Sequence, residues 1–383
     1  MKIVIAPDSF KETLSAYEVG EAAAAGFKKS LPCAETFICP MADGGEGTVA
    51  AMVDATNGSF ISADVHDPLG RLIQARYGLS GNNDTAFIEM AEASGIHLVQ
   101  SIERDVRKAS SYGTGELILH ALNRGTRNFI IGIGGSATND GGAGMLQSLG
   151  AVFRDKNGFQ LHPGGAALAE LETIDLTSFD TRISESTFRI ACDVENPLTG
   201  EYGASAVYGP QKGADAEDIK VLDNALKRFA TVGEAAAGVP IDNIAGAGAA
   251  GGLGAAFLGF FPAFLEKGAE IVADVVNLEH YLKQADLVVT GEGGINSQTI
   301  YGKTPIYVAA LSKKLNAGIP VIALCGSITD GYENVFEHGI DAVFSTLSEI
   351  AGIEELKQLT PRHISHTAEN IGRLVNLSKK IPD

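Results

Sequence analysis

A chain of 383 residues with 45% hydrophobic and 20% charged content carries enough apolar material for two or three separate cores. Its formal net charge of −18 argues against nucleic acid or an anionic membrane surface as the main partner, but leaves room for a small anion held in a local positive pocket. Cys33, Cys39, Cys192 and Cys325 are scattered, with no C-x-x-C pair and no neighbouring histidine spacing, so they read as reduced thiols. Met1-Lys2 leads straight into a β-branched run with no leader pattern. The longest apolar stretch, Ala255 to Leu265, contains Gly259 and Pro262 and is too short to span a bilayer. The expectation is a soluble, cytoplasmic protein.

Residues 2–6 read as a short buried parallel strand, followed by the loop Ala6-Pro-Asp-Ser-Phe-Lys11. In open α/β sheets this carboxyl end is where ligands bind. Ser15 with Glu18 forms a capping-box pattern that starts a helix through Val19, Ala23 and Phe27 to Lys29. A second strand, Thr36 to Cys39, ends in Ala42-Asp-Gly-Gly-Glu-Gly-Thr48 ahead of a helix over Val49 to Ala55. From about residue 60 the texture changes. Ser59–Val65 and Leu72–Leu79 alternate like half-exposed antiparallel strands around the Pro68-Leu-Gly70 turn, and Thr85–Met90 is another strand. Tyr112-Gly-Thr-Gly-Glu116 then opens a helix.

The stretch Gly132 to Gly144, G-I-G-G-S-A-T-N-D-G-G-A-G, follows the apolar run Phe129-Ile-Ile131 and leads into Met145, Leu146 and Leu149. That layout is strand, glycine loop, helix. Glycines let the backbone come close to a ligand and turn its N–H groups inward, and a following helix N-terminus favours anions. Ser136, Thr138, Asn139 and Asp140 sit among those glycines, which favours an anion site over a plain tight turn.

Phe188–Cys192 reads as a strand closing in Asp193-Val-Glu-Asn-Pro197. Gly209–Ala214 is a loop, residues 216–236 have helical period, and a glycine-rich Gly246–Gly254 follows. After about residue 275 a βαβ rhythm returns. Leu287–Thr290 is a strand ending in a Gly291–Asn296 loop, Val321–Cys325 and Ala342–Ser345 are strands, and a helix runs from about His363 to Lys379. The simplest architecture is α/β: a Rossmann-like, doubly wound parallel-sheet domain made by both chain ends (1–60 and 275–383). A second, mixed α/β domain (61–274) is inserted in it, with the ligand in the cleft between them.

Several formal motifs fail on context. Gly246, Gly248 and Gly251 fit G-x-G-x-x-G with Glu266 twenty residues on, yet no convincing strand precedes them, so a nicotinamide site is not supported. Ser297 to Thr304 imitates a P-loop but opens on serine and is followed by Pro305, although Lys303 remains available to a phosphate. The histidines make no metal pattern; His363 and His366 fall at i, i+3 on a helix expected to be solvated. No G-x-S-x-G elbow supports a hydrolase. What recurs is a set of strand-end glycine loops carrying Asp8, Asp43, Glu46, Asp140, Asp193 and Glu292, with Lys11 and Lys212 also in loops. Carboxylates for Mg²⁺, lysines for transferred charge and glycine amides for phosphate oxygens are what phosphoryl transfer needs.

These same segments, with Ala191-Cys-Asp-Val194, Asn196-Pro197 and Gly209-Pro-Gln-Lys-Gly213, resemble the bacterial glycerate kinase family in order and over nearly the whole chain. The resemblance implies phosphorylation of D-glycerate by ATP with Mg²⁺, at the 2-hydroxyl in the first instance, and the two-domain architecture read above. On that basis Asp193 is expected to orient or deprotonate the attacking hydroxyl, with Asp8 as the alternative. Lys11 and Lys212 would neutralise anionic oxygens, and Asp43 and Glu46 would hold Mg²⁺. Ser9, Gly134, Gly135, Ser136, Asn139, Asp140, Gly248, Gly251 and Glu292 would contact substrate or phosphate. Three positions depart from the family's usual pattern: Gly294 and Tyr112 stand where arginine is usual, and Asn296 where aspartate is. These leave open a different hydroxy-acid substrate, or a catalytically weak sensor of such an acid. A homodimer is one option for the assembly.

Overall fold

The computed structural model describes residues 1–11, 13–45, 47–349 and 352–378. Its strands are β1 (Lys2–Pro7), β2 (Glu35–Ile38), β3 (Ser59–His66), β4 (Leu72–Leu79), β5 (Thr85–Glu89), β6 (Asn128–Gly132), β7 (Val152–Arg154), β8 (Thr173–Asp175), β9 (Thr187–Ala191), β10 (Ala263–Glu266), β11 (Leu287–Ile295), β12 (Val321–Ile328) and β13 (Ala342–Ser345). The chain divides into two compact units, Met1–Asp43 with Ala50–Asn57 and Ala269–Asp383, and Gly44–Val49 with Gly58–Gly268. The α/β class, with a parallel sheet drawn from both chain ends and a mixed sheet in the inserted unit, is the one expected from the sequence.

In the first unit the sheet order is β13-β12-β11-β1-β2, with every pair parallel. β1 leads outward to β2 on one side, while β11 to β13 extend on the other, so the strand order reverses between β1 and β11. Apolar runs such as Ile3, Ile5, Leu287 and Val289 are buried because helices cover a parallel sheet. The helix Ala16–Ser30 starts as expected: the Ser15 hydroxyl accepts from the Glu18 N–H, and the Glu18 carboxylate accepts from the Ser15 N–H. Lys28 and Lys29 occupy its last turn, where cations suit the helix dipole.

Two expectations in this unit are corrected. β11 does not stop at Thr290 but runs on to Ile295, pairing Gly291, Glu292 and Gly294 with Leu324, Cys325 and Ser327. Gly291 permits this, because a Cβ there would lie 1.9 Å from the Leu324 carbonyl oxygen. Glu292 therefore projects from a strand and not from a loop. The C-terminal helix begins at Ile353, ten residues before His363, and contains Pro361. Pro361 lies on an exposed face, where water can serve the carbonyl it frees. His363 is not solvated; it is only 3% exposed.

The inserted unit has a six-stranded sheet, β10-β9-β6-β5-β4-β3, in which β3, β4 and β5 pair antiparallel and the others parallel. A separate antiparallel pair, β7 and β8, lies outside it. The sheet's core includes Ile88, Ile131 and Ile190, and Phe129 stacks on Phe188 at 4.7 Å between centroids. Among the described residues no helix is long and apolar enough to cross a membrane.

Gly26 tests the packing of the two long helices of the first unit. A Cβ there would lie 2.1 Å from the Ser365 carbonyl oxygen and 2.8 Å from the Ala368 Cβ. Gly→Ala in a free helix should stabilise by about 1 kcal/mol. Here overpacking should dominate, and Gly26→Ala should lower stability by about 1–3 kcal/mol in urea unfolding.

Candidate active site

In the first unit the site residues gather at the carboxyl ends of β1, β2 and β11. The Asp8 N–H donates to the Gly291 carbonyl at 2.8 Å, tying the loop after β1 to β11. The Asp8 carboxylate accepts from the Ser9 N–H at 2.6 Å and from the Thr304 hydroxyl at 2.8 Å, Thr304 being the first residue of the helix Thr304–Leu315. Burial pushes the Asp8 carboxyl up to about 6; the Thr304 hydrogen bond opposes this, and the negative charges of Asp43 and Glu292 add to it. Glu292 is differently placed. Its two oxygens are met by the Lys303 ammonium at 2.8 Å and the Thr299 hydroxyl at 2.7 Å, so Lys303 neutralises a carboxylate of its own unit. Lys11 is exposed, and Ser9 and Asp43 are half-buried. Glu46 lies outside the described residues.

Carboxylate oxygens gathered close enough for Asp43 and Glu292 to act on Asp8 fit a hard divalent cation. Among the described residues no three His, Cys, Asp or Glu side chains form an all-protein cage.

In the inserted unit the loop after β6 has two halves. Gly134 and Gly135 are exposed, Gly135 at φ +73°, whereas Ser136, Thr138, Asn139 and Asp140 are buried. Asp140 does not face outward. It accepts from the Ser111 N–H and hydroxyl and from the N–H groups of Gly142 and Gly144, and so fastens its own loop. Burial raises its pKa against those hydrogen bonds. Lys212 ends a short 3₁₀ turn, Pro210–Lys212, and is 2% exposed. Its ammonium donates to the Ser136 hydroxyl at 2.7 Å and to the Thr138 carbonyl at 2.6 Å. Burial lowers its pKa to about 7, opposed by the charge of Asp140. The Asn139 amide donates to the Ser205 hydroxyl at 2.9 Å, while the Thr138 hydroxyl and the Asn139 side-chain oxygen are buried with no hydrogen-bond partner among the described residues.

Asp193 follows β9 and is exposed; one of its oxygens accepts from the Gly268 N–H at 3.2 Å. Gly248 and Gly251 are used differently from the expected phosphate cradle. A Cβ at Gly248 would meet the Pro197 carbonyl at 2.1 Å, and one at Gly251, at φ +71°, the Thr138 carbonyl at 2.0 Å. Both glycines bring one loop against another. Sequence reasoning did not single out Glu89, at the carboxyl end of β5, which accepts from the Val49 N–H at 3.1 Å, nor Thr304 or Ser205. Glu89 falls inside the apolar strand run Thr85–Met90, with no loop segment around it to mark it.

The three departures occupy ordinary local roles. Gly294 lies in β11, Asn296 accepts from the Gln298 N–H at 2.8 Å in a turn, and the Tyr112 ring stands edge-on to His66.

The Asp8 carboxyl, raised from 3.8 to about 6 on folding, gives a signed prediction. Between those pH values the folded state binds more protons than the unfolded one, so stability falls as pH rises through that window and stays lower above it. Asp8→Asn should stabilise the protein by about 1–3 kcal/mol at pH 8 and not at pH 4, read from urea unfolding at both pH values.

Comparison with known proteins finds matches over nearly the whole chain. The model of the glycerate kinase family matches residues 3–376. The chain is 51% identical over 371 residues to the glycerate 2-kinase of Escherichia coli K12, covering 97% of each. It is 48% identical over 377 residues to the glycerate kinase of Halalkalibacterium halodurans, covering 98% of this chain and 99% of the other. A crystal structure of a Salmonella typhimurium LT2 protein, provisionally designated glycerate kinase 2, superposes with a TM-score of 0.92 at 50% identity, with both chains fully covered. The chain belongs to the glycerate kinase family.

Proposed function

We propose that the protein transfers the γ-phosphoryl group of ATP to the 2-hydroxyl of D-glycerate, giving 2-phosphoglycerate and ADP. The full-length relationship to a glycerate 2-kinase supports the substrate and the position of attack. The observation that carries the chemistry is Lys212, a buried ammonium held by a hydroxyl and a carbonyl, both neutral acceptors. A lysine with a pKa near 7 in such a place becomes fully charged when an anion arrives, and stabilises negative charge more strongly than it would in water.

In this reading the exposed Gly134 and Gly135, with Ser136, hold anionic oxygens beside Lys212. Asp193 takes the hydroxyl proton of glycerate, the freed oxygen attacks the γ-phosphorus, and the bond to the departing ADP breaks. Lys11 balances charge on the phosphates. Asp43, with Glu46 as its companion and Asp8 nearby, would hold Mg²⁺, which when bound supplies charge neutralisation on the phosphate oxygens. Asp140 and Asn139 act by fastening the loop that carries Ser136. The four unpaired thiols support a cytoplasmic location.

ADP release with Mg·ATP and D-glycerate tests this, and ³¹P NMR of the product separates the 2- from the 3-phosphate. Lys212→Met should reduce kcat/KM by about 10²–10³ with the circular dichroism spectrum unchanged. Asp193→Asn should lose about 10²-fold or more in kcat. Turnover by Asp193→Asn within a few-fold of the parent would remove Asp193 from the proton transfer.

A further inference from the structure

The first unit contains a cavity of about 230 Å³ that none of the residues assigned above explains, although Lys11 stands on its rim. It lies where the strand order reverses. Phe10 and Thr13 come from the segment after β1, Gly293 from β11, Gly326 and Ser327 from β12, and Leu347, Leu356 and His363 from the region after β13. Ligands of open α/β sheets bind outside the carboxyl ends of the strands at such a reversal. Two of the lining residues, Gly293 and Gly326, are glycines. A Cβ at Gly326 would crowd the Gly293 carbonyl at 2.7 Å and approach the Phe10 ring at 3.9 Å, and one at Gly293 would stand 3.6 Å from the Lys11 nitrogen.

We infer that this cavity receives the purine base of the nucleotide, with the phosphates leading out past Lys11 toward Asp8, Asp43 and Glu292. The inference rests on the kinase reading above and adds to it the place of the nucleoside. The lining chemistry separates the two substrates. Phe10, Leu347 and Leu356 offer apolar surface for the faces of a flat ring, and Ser327 offers a hydroxyl for its polar edge. A hydroxy acid would need a buried cation instead. His363 is turned to the Glu349 carboxylate at 3.2 Å, and Lys11 is exposed at the rim. Distance along the chain supports the direction of the phosphates: Lys11 is three residues from Asp8, and Gly293 adjoins Glu292.

Ser327 is exposed in a strand and Leu347 is 49% exposed, so both positions can be changed without disturbing the core. Ser327→Ile narrows the cavity, and Leu347→Asp removes apolar surface while adding a charge that repels phosphate. Calorimetric titration with ADP reads binding without turnover, and steady-state kinetics read the two substrates separately. Each variant should weaken ADP binding and raise the KM for ATP by about tenfold or more, with the KM for D-glycerate within about twofold of the parent. An ADP affinity within about twofold of the parent in both variants would overturn the assignment. So would a rise in the KM for D-glycerate alone, which would give the cavity to the acid. Failure of the kinase reading would show separately, as absence of phosphoglycerate from the parent protein.

Discussion

A buried ammonium is the constraint on which the inserted unit's loops depend. Lys212 cannot be taken out of water unless acceptors surround it, and the Ser136 hydroxyl and Thr138 carbonyl supply them. Thr138 can present its carbonyl there because the Gly132–Gly144 loop is fixed by the inward-turned Asp140 and packed against Gly251. The apparent wealth of polar groups in that loop thus splits into two jobs. Asp140 and Asn139 hold the loop together, Ser136 accepts from Lys212, and Gly134 and Gly135 stay exposed. Burial lowers the lysine's pKa to about 7, opposed by the charge of Asp140.

The first unit uses the same physics with the sign reversed. Asp43 and Glu292 both repel the Asp8 carboxylate, and Glu292 has a close cation in Lys303. Asp8 is held instead by a hydroxyl and an N–H, neutral donors that orient a carboxylate without cancelling its charge. Such a group is costly to keep ionised until a cation joins it, which is the usual compromise between stability and activity at a catalytic site. The parallel sheet makes this possible, since β1 pairs with β11 up to Pro7 and Gly291, which sets the loop after β1 next to Glu292. Residues separated by nearly 300 positions then share one edge.

The elements legible in the sequence were those whose signal is local. The Ser15–Glu18 capping box, the alternation of β3 and β4, the apolar runs of β1, β6 and β11, and the strand–glycine loop–helix order around Gly132 all follow from side-chain pattern and turn chemistry within a few residues. The family resemblance rested on the same short segments. β7, β8 and β10, of three or four residues each, are too short for any period to show. The extension of β11 through Gly291 to Ile295 was hidden for a different reason: a glycine needed for close approach to Leu324 looks, in sequence, like one needed for a turn.

Composition and local pattern therefore determined the α/β class, the strand-end loops and the residue types able to serve phosphoryl transfer. Tertiary structure decided which way those residues face. Lys212, Asp140 and His363 are all polar residues that a one-dimensional reading places at a surface, and all three are buried. Burial depends on what packs over a residue from distant parts of the chain, and with it go the pKa, the hydrogen-bond partners and the division between groups that touch a ligand and groups that hold the site. Gly248 and Gly251 make the same point in reverse. They were expected to contact substrate or phosphate, but the carbonyls of Pro197 and Thr138 occupy the space their missing side chains leave.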